Sequence, residues 1–144
     1  MRQPTRDPER LDALAGMPRG MLRPTVLVVD DEPSIVDLLC EFLEEAGYRA
    51  LLARNGRSAL AIARRERPAL VITDRNMPGI DGVEVLRRLR SSPITSNIPV
   101  VIMSSTRPSI EGAERVPFLA KPFDLDDMLA TVATYAGPPD ERYD

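Results

Sequence analysis

The sequence predicts an α/β fold: a doubly wound, five-stranded parallel sheet in a three-layer αβα sandwich. Three observations carry this. Short β-branched runs alternate with helical patterns from Thr25 to about residue 136. Most of these runs are apolar throughout, as expected of strands buried on both faces. Strands and helices follow one another at short spacing, and right-handed crossovers then cover the sheet on both sides.

The elements follow in order. "TVLVVDD" is a strand ending in acids. Ile35, Leu38, Leu39, Phe42, Leu43 and Ala46 then recur at helical spacing, and Gly47 supplies the stop. "YRALLA" is the second strand, and "GRSALAIARRE" a helix that ends before Pro68. "ALVIT" is the third strand, and "GVEVLRRLRS" a helix with Val83, Leu86 and Leu89 facing inward. "IPVVIM" and "VPFLA" are the fourth and fifth strands. Leu125, Met128, Leu129 and Val132 form the face of a last helix, closed by Gly137 and stopped by Pro138-Pro139. The domain is therefore expected over 25–136. Residues 1–24, with four prolines and mixed charge, are expected to be a flexible arm or a short helix capped by Asp7, and 137–144 a tail.

At 144 residues the chain has the length of about one domain. It has no apolar stretch of membrane-spanning length and no hydrophobic signal core, and its one cysteine, Cys40, has no partner for a disulfide. These features predict a cytoplasmic protein. A net charge of −3 gives no support to whole-domain nucleic-acid binding. Arg64-Arg65-Glu66-Arg67 and Arg87-Arg88-Leu89-Arg90 lack interleaved aromatics and read as solvated helix faces. There is no histidine, so imidazole chemistry must come from a partner. Lys121 is the only lysine among 19 basic residues, which suggests a demand for a compact ammonium group.

In a doubly wound sheet, ligands collect at the carboxyl ends of the strands. The first strand ends in Asp30-Asp31, the third in Asp74, the fourth in Ser104 and the fifth in Lys121. Three carboxylates, a hydroxyl and the lone ammonium would converge on one rim. Crowded carboxylates favour the neutral form unless a cation intervenes, and an oxygen-only set suits Mg²⁺. No Gly-rich phosphate cradle is present, so nucleotide binding is not indicated. The set suits a carboxylate that attacks phosphorus and is held as an acyl phosphate.

The segments "VLVVDDEPSI", "LVITDRNMPGIDG", "VVIMSS" and "FLAKPF" occur in that order. Together they resemble the receiver domain of bacterial two-component response regulators, of the stand-alone type. The resemblance implies a flavodoxin-like receiver fold with Asp74 as phospho-acceptor. It implies Mg²⁺ organised by Asp30 and Asp31, with Asp74 and the backbone carbonyl of Asn76 as further ligands. Ser104 stands at the switch hydroxyl, Lys121 at the phosphate-sensing lysine, and Phe118 at the aromatic whose rotamer follows phosphorylation. The implied donor is a sensor histidine kinase or phosphotransfer protein, and the output an unidentified protein target. Direct nucleic-acid or membrane binding is not implied, and a homodimer is left open. The implied role is a switch, with self-phosphorylation and slow autodephosphorylation as its only chemistry.

Two other readings stand beside it. A pseudo-receiver would bind partners without phosphorylation, against which the intact acidic pocket and Lys121 argue. A phosphohydrolase would place a second acid two residues after its nucleophile, where this chain has Asn76. One departure from the family is the link "SSTRPSIEGAERVPFLAK", which is shorter than usual. Within it Pro108 and Pro117 bracket at most two or three turns of helix, so a shortened fourth helix is expected there.

Overall fold

The structure, a computed structural model, describes residues 23–106 and 116–140. Among these, five strands form one parallel sheet: β1 (Thr25–Val29), β2 (Arg49–Ala53), β3 (Leu70–Asp74), β4 (Val100–Ser104) and β5 (Phe118–Ala120). Their order is β2-β1-β3-β4-β5, so the chain steps outward from β1 to one edge and then reverses to the other. Four helices accompany them: α1 (Pro33–Glu45), α2 (Gly56–Glu66), α3 (Gly82–Arg90) and α4 (Leu125–Ala136).

The layers follow from strand alternation. Leu27, Val29, Val71, Val100 and Ile102 point to one face, where α2 and α3 cover them with Ala59, Leu60, Ala63, Val85, Leu86 and Leu89. Val26, Val28, Leu70, Ile72, Val101 and Met103 point to the other, against Leu39 and Leu43 of α1 and Met128 and Val132 of α4. β3 and β4 are buried along their whole length, which explains their unbroken apolar runs.

Helix starts are set by short polar side chains. Asn55 Oδ1 accepts the Ser58 N–H, Asp81 Oδ1 the Glu84 N–H and Asp124 Oδ1 the Asp127 N–H, at 2.7, 2.9 and 2.7 Å. Each satisfies an otherwise orphan amide of a first turn. α1 starts differently, with Pro33 at its first position and no side-chain cap from Glu32.

The structure modifies four sequence expectations. Leu38 shares the apolar spacing of α1 but is exposed, because no described element covers that flank. In α3 the fully buried valine is Val85, whereas Val83 is only half-buried. The chain after Gly137 turns back over the α1–β2 corner: Tyr48 Oη donates to the Gly137 carbonyl at 2.8 Å, and Asp140 N–H to the Gly47 carbonyl at 3.1 Å. Part of the expected tail is thus packed structure. Finally, β1 ends at Val29, which leaves the Asp30-Asp31 pair just beyond the sheet. Residues 1–22 of the arm expected over 1–24, and residues 107–115, in the segment where the shortened fourth helix is expected, lie outside the described residues.

Candidate functional site

The carboxyl ends of β1, β3, β4 and β5 meet at one rim. Asp74 is the last residue of β3 and lies opposite Met103 of β4. Asp30 follows β1, and its N–H continues the ladder to the Ala53 carbonyl at 3.1 Å. The reversal of strand order about β1 and β3 opens the crevice between them, so the two carboxylates arise on either side of it. Carboxylate oxygens of Asp30, Asp31 and Asp74 lie within 4.8 Å of one another. Asp30 and Asp74 are buried, at 3% and 7% exposure, while Asp31 is open to solvent.

This crowding has electrostatic consequences. Burial, more than any other influence, pushes the Asp30 carboxyl above its ordinary range, and the Asp74 charge adds to the effect. The Glu32 N–H, donated to Asp30 Oδ1 at 3.0 Å, and the Lys121 charge oppose it. Lys121 Nζ donates to Asp74 Oδ1 at 2.7 Å. One ammonium therefore stands against three carboxylates. An oxygen-rich, net negative pocket of this kind fits a small hard dication.

The remaining site residues are held by the backbone. Ser104 ends β4 and is buried, with Oγ accepting the Thr106 N–H at 3.3 Å. Lys121 N–H donates to the Ser104 carbonyl at 2.8 Å, which ties the β4 and β5 ends together. The Lys121–Pro122 peptide is cis. Phe118 opens β5 opposite Ile102 and packs, half-buried, on the α2–α3 side of the sheet. Asn76 is exposed and lines a shallow depression with Met77, Pro78 and Asp81.

One contributor was not legible beforehand. Gly82, the first residue of α3, lies against the end of β3. A Cβ there would fall on the Asp74 carbonyl oxygen and within 3.0 Å of Arg75 Cα. Its N–H donates to the Arg75 carbonyl at 3.0 Å. Only a residue without a side chain lets the loop close this tightly beneath the acid. In the sequence Gly82 reads as part of a turn, and the eight-residue return to Asp74 leaves no local pattern.

Comparison with known proteins decides the family. Residues 26–133 match the model of the response regulator receiver domain. This chain belongs to that family. Sporulation initiation phosphotransferase F of Bacillus subtilis is 38% identical over 120 residues, which cover 80% of this chain and 95% of that protein. Protein PilH of Pseudomonas aeruginosa is 36% identical over 120 residues, covering 78% and 98%. The solved structure of chemotaxis protein CheY4 of Vibrio cholerae superposes with a TM-score of 0.71 at 31% identity, covering 78% of this receiver and 98% of that chain. The chain is thus a receiver of the phospho-accepting response regulator type. No helix among the described residues is long and apolar enough to cross a membrane.

Proposed function

We propose that Asp74 of this receiver accepts a phosphoryl group from a phosphohistidine on a sensor histidine kinase or phosphotransfer protein, in the cytoplasm. The reading rests above all on one observation: the buried carboxylate at the end of β3 is paired with the chain's only lysine and crowded by two further acids. An Asp74 carboxylate oxygen attacks phosphorus, the bond from phosphorus to the donor nitrogen breaks, and its electron pair stays on the departing imidazole. Asp30 and Asp31 would hold Mg²⁺ together with Asp74 and the Asn76 carbonyl. When bound, the ion offsets negative charge on the phosphoryl oxygens.

The chain's own groups do the rest. Lys121 transfers its hydrogen bond from the carboxylate to a phosphoryl oxygen, keeping a charge-assisted contact throughout. The Ser104 hydroxyl donates to a second oxygen and in doing so moves away from the Thr106 N–H. Phe118, whose strand neighbours Ser104 through the β4–β5 ladder, follows into the space vacated. The product is a switched conformation read by another protein, without turnover of free substrate.

Incubation with acetyl phosphate and MgCl₂, followed by intact-mass measurement, tests this. One phosphoryl group per chain is expected, lost in Asp74→Asn and in EDTA. Equal labelling of Asp74→Asn would overturn the assignment, and no labelling of the wild type would favour the pseudo-receiver reading.

A further inference from the structure

A groove of about 760 Å³ opens beside the acid cluster, between the first turns of α1 and the loop from β5 into α4. Its lining is mainly apolar, with Ile35, Leu38, Phe123 and Leu125 along it and Lys121 at the end nearest Asp74. Leu38 is 52% exposed although it shares the apolar spacing of a packed helix. The volume falls in the range of small-ligand sites, about 300–1,000 Å³. Lys121 belongs to both places at once: it lines the groove and donates to Asp74 at 2.7 Å. A molecule with its phosphoryl group at Asp74 and an apolar body in the groove would use both.

Resting on Asp74 as acceptor, we propose that this groove selects among small phosphodonors, favouring an acyl phosphate whose acyl group is apolar, uncharged and longer than acetyl. In the transfer an Asp74 oxygen bonds to phosphorus and the bond from phosphorus to the acyl oxygen breaks. The electron pair leaves on the acyl carboxylate, and no proton moves. The acyl chain, lying along Leu38 and Phe123, is held through the reaction and released as a carboxylate. Glu32 and Asp124 also border the groove, so an acyl group bearing a second carboxylate is disfavoured by like charge.

Full burial of one methylene is worth about fourfold in binding, and half of that in an open groove gives about twofold. The test compares initial rates of phosphorylation of the whole chain by acetyl, butyryl and succinyl phosphate, all subsaturating with MgCl₂, read by intact mass. The butyryl-to-acetyl ratio should be about four, for two added methylenes at about twofold each, with succinyl below butyryl. The ratio should fall towards one in Leu38→Asn, and in Phe123→Ala as a second variant should the first not fold. A ratio near one in the wild type, a ratio kept in the folded variants, or succinyl outrunning butyryl would each overturn the proposal. Absence of labelling by every donor would overturn the acceptor reading itself, and this inference with it. Brisk but equal labelling by acetyl and butyryl phosphate would overturn the groove alone.

Discussion

Replacing Lys121 by Met keeps the length of the apolar stem and removes the ammonium. The structure sets the size of the effect. The contact to Asp74 is 2.7 Å, and the two side chains are 36% and 9% exposed. Exposed pairs are worth about 0.2–1 kcal/mol, whereas breaking a fully buried pair costs about 3–5 kcal/mol. With one partner buried and the other about a third open, about 2 kcal/mol is expected, in line with a hydrogen bond to a charged group. For a domain of this size that lowers Tm by about 6–10 °C. The loss has a particular origin: without the ammonium, Asp30, Asp31 and Asp74 face each other with no cation between them. Millimolar MgCl₂ should therefore restore much of the stability, and Asp74→Asn should restore part of it in EDTA. Thermal and urea unfolding of wild type, Lys121→Met, Asp74→Asn and the double variant, each with and without Mg²⁺, gives the coupling directly. An equal loss in Mg²⁺ and EDTA, with no coupling to Asp74, would place the effect in the stem's packing and refute the electrostatic account.

Two further outcomes follow from the geometry. Gly82→Ala should destabilise the domain by about 1–3 kcal/mol, because the added Cβ meets main-chain atoms at the end of β3 that cannot swing aside. Urea unfolding measures it, and a neutral Gly82→Ala would show that the loop has slack. Tyr48 is fully buried, and burial pushes its hydroxyl from 10.0 up to about 12. Its contribution to stability is thus complete below pH 10 and lost as the pH rises through about 12. Tyr48→Phe should be less stable than wild type at neutral pH by about 1 kcal/mol, for the lost bond to Gly137. The difference should close on the alkaline side, and a constant gap from pH 7 to 12 would refute it.

The parts of the molecule legible in the sequence share one physical cause. A parallel sheet buried on both faces demands apolar strands, so an acid at the end of such a run stands out, and the topology gathers strand ends whatever lies between them. Asp30, Asp74 and Lys121 were visible for that reason, and the structure brings them together. The exposure of Leu38, the burial of Val85 and the contact at Gly82 are not set by the local pattern, for the converse reason. Periodicity reveals that a helix has an apolar stripe, but the stripe's width and what covers it depend on neighbours distant in sequence. In α1 the stripe extends to Leu38, but Leu39 and Leu43, not Leu38, join the buried cluster that holds Met128 and Val132 of α4. In α3 the inward direction is set by the start at Gly82, which is fixed in turn by the contact beneath Asp74. Leu38 and Gly82 thus border the site from opposite sides. Gly82 holds the acid from below, and Leu38 leaves an uncovered apolar wall beside the lysine that guards it. A pattern fault in a regular helix is informative when the structure places it next to reactive groups, since a residue that packing alone would bury is kept in contact with whatever approaches them.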